Sequence, residues 1–198
     1  MHEKNPLVGG DENSGRAVIL IHGRGGSSEE LINFAENNLP KAKFIALRAD
    51  GNVWYPKPFM VPRVDNEPYL SKALEAIDKA IKDSGFPKDK IILLGFSQGA
   101  CLAAEYAARN PKKYGGIIAF SGGLIGYKVE NPENSMQSTK MIFGCSEEDP
   151  YIPTSRVKDS IEAFKFAGAS VQEYIYPGKT HMISDKEISL AYSLIEEI

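Results

Sequence analysis

Cysteine is nearly missing from this chain: two among 198 residues, Cys101 and Cys145. Neither belongs to a C-x-x-C, and two thiols build no disulfide framework. Both are therefore expected to be free thiols in a reducing, cytoplasmic location. Histidine is scarce as well, with three copies. None falls at ligand spacing with a cysteine, so no metal site is expected. An excess of one charge is also lacking. Lys plus Arg is 23, Asp plus Glu is 26, the net is −3, and no run of five like charges occurs. That excludes a basic footprint for nucleic acid or a membrane surface. No apolar run approaches about 18 residues, so no transmembrane helix is expected. The opening Met1-His2-Glu3-Lys4-Asn5-Pro6 has no apolar core of a signal peptide. Internal repeats and low-complexity tracts are absent too.

What remains is an ordinary globular mixture, 42% hydrophobic and 25% charged. A disordered chain, a collagen and a coiled coil are excluded by it. The length fits one domain able to bury about 70% of its unfolded surface without disulfides or metal. It leaves little room for an inserted lid. Residues 1–16 are polar and glycine-rich and read as a loose arm or a short edge strand. Residues 17–198 read as one domain.

Five continuous apolar runs mark buried strands: Ala17–Ile21, Lys43–Leu47, Ile91–Leu94, Gly116–Phe120 and Met141–Phe143. Continuous runs fit parallel strands covered on both faces. Val171–Tyr176 alternates, as a half-buried edge strand does. Helical patterns lie between them. Ser27-Ser28-Glu29-Glu30 is a capping box, and Ser184 with Glu187 is a second. Tyr69–Lys82 puts Leu70, Ala73, Leu74, Ile77, Ala80 and Ile81 on one face. Glu75/Lys79 and Asp78/Lys82 lie four apart on the other, and Gly85 is a stop. Ala100–Ala108 is small and apolar nearly all round, which predicts a buried helix ended by Pro111. Val157, Ile161 and Phe164 form a stripe up to Gly168. Strands alternating with helices predict a three-layer α/β/α sandwich around a doubly wound, mostly parallel sheet. Ligands of such sheets sit beyond the carboxyl ends of the strands, so the residues after each run carry the functional reading.

After the third run comes Gly95-Phe96-Ser97-Gln98-Gly99, a G-x-S-x-G. The bare motif is weak, but here it leaves a strand and enters a buried helix, as a nucleophile elbow requires. Ser97 would project above the sheet, with the Gln98 amide at the helix start facing a developing oxyanion. After the first run comes His22-Gly23-Arg24-Gly25-Gly26, whose Arg24 amide could be a second donor. His22 itself reads as a packed, hydrogen-bonded histidine. Gly23, Gly25 and Ser28, with Asp50, make a broken dinucleotide fingerprint. After the fifth run, Glu147, Glu148 and Asp149 crowd one loop; Pro150 and Pro153 fix the backbone around Asp149. After the last run comes Tyr176-Pro177-Gly178-Lys179-Thr180-His181. A histidine in a Pro-Gly loop at a strand end is poorly explained as core filler. Ser97, Asp149 and His181 then stand in the chain order Ser…Asp…His of a hydrolase triad.

These residues resemble the α/β-hydrolase superfamily, and within it the phospholipase/carboxylesterase family of acyl-protein thioesterases and small bacterial carboxylesterases. The likeness runs from about Ala17 to the C-terminus. It is carried by His22-Gly23-Arg24-Gly25, the Ser97 elbow, Asp149-Pro150-Tyr151-Ile152-Pro153, and Tyr176-Pro177-Gly178 with His181. Asn52-Val53-Trp54-Tyr55-Pro56 resembles a segment of the bacterial esterase branch. The resemblance implies an α/β-hydrolase fold; the length implies that it has no lid domain, and serine-based hydrolysis needs no cofactor. The resemblance also implies Ser97 as nucleophile, His181 as base, Asp149 as orienting acid, and the Arg24 and Gln98 amides as oxyanion hole. Two departures, Gly26 where thioesterase relatives usually have Asp and Met182 where they have a small polar residue, favour a bacterial-type small-ester hydrolase over a protein thioesterase. The elbow's Ser, rather than Cys, separates the chain from dienelactone hydrolases.

Residues 50–66 show no periodicity, and a structureless stretch of that length is usually functional. Trp54, Tyr55, Phe59 and Met60 are candidates for the pocket wall; the competing reading packs them onto the sheet. Met182 joins them as a substrate-binding candidate. The 123–139 segment is the other long connection. The expected function is hydrolysis of small soluble carboxylic esters through an acyl-enzyme. Thioesterase or lysophospholipase activity, or a non-catalytic ligand-binding module, are the alternatives. The expected partner is a small-molecule ester, with no nucleic acid and no membrane, and a homodimer is left open.

Overall fold

The computed structural model describes residues 5–198. The first four residues of the N-terminal arm, His2 among them, lie outside the described residues. One seven-stranded sheet runs through the molecule in the order β1-β3-β2-β4-β5-β6-β7. The strands are β1 (Leu7–Gly10), β2 (Ala17–Ile21), β3 (Lys43–Ala46), β4 (Ile91–Phe96), β5 (Gly116–Phe120), β6 (Lys140–Ser146) and β7 (Ser170–Tyr176). All neighbours are parallel except β1, which lies antiparallel on β3 with Leu7 opposite Ala46.

The helices are α1 (Ser28–Asn38), α2 (Tyr69–Asp83), α3 (Gln98–Arg109), α4 (Thr154–Phe166) and α5 (Asp185–Glu196). Alternate residues along each strand feed opposite faces, the two-residue period of a strand. Ile19, Ile21, Leu93 and Phe143 pack under α2, α3 and α4. Val18, Leu20, Leu94 and Ile142 pack under α1 and α5. The molecule is the three-layer α/β/α sandwich expected of the alternating pattern.

Local chemistry sets the helix ends. Ser27 with Glu30, and Ser184 with Glu187, form reciprocal capping boxes on α1 and α5. On α2 one of the two expected ion pairs forms, Lys82 to Asp78 at 2.5 Å. Glu75 instead pairs with Lys72 at 2.8 Å and Lys79 with Asp83. Three- and four-residue spacings lie equally close on a helix, so the nearest rotamer chooses the partner.

Two features place the site. The connections after β2 and β4 run to opposite sides of the sheet, which opens a crevice between their carboxyl ends. The loops after β6 and β7 are tied together beside it. Glu147 N–H donates to Tyr176 O, Glu148 N–H to Gly178 O, and Ser146 Oγ to Thr180 O. The 123–139 segment is fastened to the helix layer rather than free. The Arg156 guanidinium donates to the carbonyls of Leu124, Gly126 and Tyr127, and Glu105 accepts the Ile125 amide.

Candidate active site

The turn between β4 and α3 is sharp because two side chains are missing from it. A Cβ at Gly95 would run into the Gly99 backbone, and one at Gly99 into the carbonyls of Ile21 and His22. Ser97, between them, sits at φ 54, ψ −118. A non-glycine residue there stores about 1–3 kcal/mol of strain. The surroundings hold it: Ser97 N–H donates to Phe120 O at 2.9 Å, and its carbonyl accepts from Cys101 N–H at 3.0 Å.

Ser97, His181 and Asp149, distant in sequence, form one hydrogen-bonded chain. Ser97 Oγ lies 2.8 Å from His181 Nε2. His181 Nδ1 lies 2.8 and 3.0 Å from the two oxygens of Asp149. Asp149 is itself pinned, its Oδ1 accepting from Tyr151 N–H at 2.9 Å and Ile152 N–H at 3.0 Å. Burial pushes the Asp149 carboxyl up, but the hydrogen bond from His181 and those two amides outweigh it, so it lies below its ordinary range. Neither Glu147 nor Glu148 touches His181; Glu148 pairs with Lys179 at 2.8 Å. The His181 ring is flanked by Phe96 at 5.0 Å and Tyr151 at 4.9 Å.

A cavity of about 450 Å³ opens on Ser97 and His181. Tyr55 and Phe59 line it, and so do Lys57, Cys101 and Tyr151, which the sequence reading did not assign to the pocket. Cys101 had a usable signal, since it lies one helical turn beyond the elbow serine. Burial pushes its thiol up to about 12, so it stays protonated and unreactive.

Three substrate-binding candidates lie elsewhere. Met60 packs against the core between sheet and helices. Met182 is exposed, and its carbonyl accepts from the Tyr176 hydroxyl. Trp54 is fully buried; its indole N–H donates to His22 O at 2.8 Å and its ring lies 4.9 Å from His22. These three do not line the cavity. For Trp54 the reason is a long-range contact: Gln98 grips its segment, Oε1 accepting from Trp54 N–H and Nε2 donating to Tyr55 O. Trp54→Ala should therefore cost about 3–5 kcal/mol of stability while leaving acyl-length preference on p-nitrophenyl esters unchanged. A shifted preference at unaltered stability would return Trp54 to the pocket wall.

His22 is buried, with Nδ1 2.7 Å from Gly23 O and Nε2 facing Ala49 N–H at 3.4 Å. The dinucleotide reading also loses its donors, because the Gly25 amide is used by Asn52 O and the Gly26 amide by Gly23 O. Among the described residues no cluster of three or more His, Cys, Asp or Glu could hold a metal, and no helix is long and apolar enough to cross a membrane.

The model for Phospholipase/Carboxylesterase matches residues 3–198. The chain belongs to the phospholipase/carboxylesterase family. It is similar to the crystal structure of a phospholipase/carboxylesterase from Dyadobacter fermentans, with TM-score 0.92 and 37% identity over 98% of this chain and 97% of that one. Curated relatives include acyl-protein thioesterase 1 of Saccharomyces cerevisiae, 28% identical over 95% of this chain and 88% of its own. The Kluyveromyces lactis protein of that name is 31% identical over 75% and 72%. A Bacillus cereus carboxylesterase shares the fold, at TM-score 0.72 and 18% identity over 97% and 93%. Family members are hydrolases of the esterase and thioesterase type, and this chain is an α/β hydrolase of that family.

Proposed function

We propose that this phospholipase/carboxylesterase family member is a serine esterase that cleaves small carboxylic esters through a Ser97–His181–Asp149 triad. One observation carries the reading: an elbow serine in strained backbone whose hydroxyl meets His181 Nε2 at 2.8 Å. His181 Nε2 takes the Ser97 proton as Oγ attacks the ester carbonyl. Asp149 accepts the Nδ1–H bond, fixing the tautomer and stabilising the imidazolium. The tetrahedral oxyanion is received by the Arg24 and Gln98 backbone amides, which have no acceptor within the described residues. Each such donor is worth about 2.7–4 kcal/mol. His181 then protonates the leaving alcohol, and a water activated by the same ring cleaves the acyl-enzyme. The two buried free thiols support a reducing, cytoplasmic setting.

Acyl thioesters fit the same chemistry, and the relatives named acyl-protein thioesterase favour them as a second substrate class. Rates on a matched oxoester and thioester separate the two. The founding test is fluorophosphonate labelling read by intact mass. Wild type should gain one adduct on Ser97, and Ser97→Ala should gain none. An adduct that survives Ser97→Ala, or a wild type that takes no label, overturns the triad.

A further inference from the structure

The cavity on Ser97 carries a charge pattern that the hydrolytic steps do not use. Its lining includes two cations, Arg24 and Lys57, and no carboxylate. The chain as a whole carries a net −3, so this wall runs against the average surface. The Arg24 guanidinium donates from Nη2 to Tyr55 O at 2.7 Å and Pro56 O at 3.1 Å. Two neutral carbonyls fix its position without cancelling its charge, and they leave further N–H donors over. Lys57 follows Pro56 directly, and its backbone amide is held by Asn66 Oδ1 at 2.8 Å. Neither cation has an acidic partner among the described residues. The acids of the neighbouring loop are engaged or lie off the cavity: Asp149 with His181, Glu148 with Lys179, and Glu147 exposed outside the lining.

Two cations on the lining of one cavity give it a positive potential, and an anion that enters it is attracted by both. Depth decides which half of the ester carries the anion. Phe59, Cys101 and Ile152 are buried and form the inner wall, whereas Arg24 and Lys57 are exposed at the mouth. The inner wall takes the acyl group, and the leaving alcohol faces the cationic rim. We infer that the ester cleaved at Ser97 bears an anionic group on its alcohol, a carboxylate or a phosphate, received by Arg24 and Lys57. The inference rests on the serine-esterase reading for the word "cleaved" and on the cavity alone for the anion.

The test compares hydrolysis of 4-acetoxybenzoate and 4-acetoxyphenyl phosphate with that of neutral 4-acetoxybenzamide. At low salt wild type should favour an anionic ester in kcat/KM by about fivefold per charge engaged, and 0.5 M NaCl should erase most of this. The faster of the two anionic esters identifies the anion. Lys57→Arg should keep the preference, Lys57→Ala should weaken it, and Lys57→Glu should abolish or invert it. A wild-type ratio of one or below, or a ratio untouched by Lys57→Glu, overturns the inference. Calorimetric binding of 4-hydroxybenzoate and 4-hydroxybenzamide to Ser97→Ala separates the two readings. Equal binding sinks the anion site. Anion-selective binding to Ser97→Ala, together with a wild type that hydrolyses none of the three esters, sinks the esterase reading and sustains the site.

Discussion

Replacing Asp149 with Asn is expected to lower kcat for ester hydrolysis by about 10⁴-fold with little change in KM. The reason lies in what holds the carboxylate. Its Oδ1 accepts from Tyr151 N–H and Ile152 N–H, and an Asn carbonyl oxygen would stay on those two donors. The Asn amide would then face His181 Nδ1, now 2.8 Å from Oδ2. An N–H cannot accept from Nδ1–H, so the ring turns to the tautomer protonated at Nε2. That nitrogen meets Ser97 Oγ and could no longer take its proton. The same substitution should show in acid. The Asp149 carboxyl is pushed up by burial but held lower by its hydrogen bonds. A depressed carboxyl contributes stability above its unfolded pKa, about 3.9, and loses it as pH falls through the folded value. The stability advantage of wild type over Asp149→Asn in urea melts should therefore shrink toward acid. A variant that retains wild-type kcat would mean that His181 does not depend on Asp149 for its tautomer.

The fold was legible wherever apolar residues ran continuously or a helix carried its own cap. Ala17–Ile21 and Gly116–Phe120 match β2 and β5 residue for residue, because a strand buried on both faces admits no polar interruption. Ser27 and Ser184 mark their helices through a reciprocal bond that needs only local sequence. Strand β1 was harder to read. Leu7–Gly10 reads LVGG, so its residue types do not alternate although its exposure does, and its glycines are set by distant groups: a Cβ at Gly9 would strike Glu36, and one at Gly10 would strike Ala42 and Phe44. That is a packing fact with no local signature.

The site divides along the same line. Ser97, Asp149 and His181 stand at strand ends, so topology brings them to one edge of the sheet and their meeting could be read from position. The 50–66 segment has no period, so nothing in its sequence says which side chain faces in. Trp54 goes into the core and Tyr55 into the cavity because Gln98, from the elbow, clamps the backbone between them. Lys57, two residues on, is held by its amide to Asn66. A contact between residues more than forty positions apart leaves no trace in local composition.

Gly99→Ala should be the most disruptive small substitution in the chain. The added methyl would sit inside the carbonyl groups of Ile21 and His22, where β2 ends and the Arg24 loop begins. Those atoms are backbone, and neither can swing aside as a side-chain tip would. The start of α3 must instead move away from β2. That shift would move the Gln98 amide away from the Arg24 amide and loosen Ser97, whose strained φ the close packing sustains. Overpacking against backbone costs about 3 kcal/mol, which is a loss of about 6–12 °C in Tm at this chain length. Fluorophosphonate labelling, read in the folded fraction, should slow by more than about tenfold, the loss expected from a misplaced oxyanion donor. Gly25→Ala is the matched control. Nothing lies within 4 Å of its added methyl, and only the φ of +78 is strained, so its cost should be about 1 kcal/mol with little effect on labelling. If the two variants behave alike, the β2–α3 contact does not govern the elbow. If Gly99→Ala alone loses label, the distance between strand and helix sets the geometry of the site.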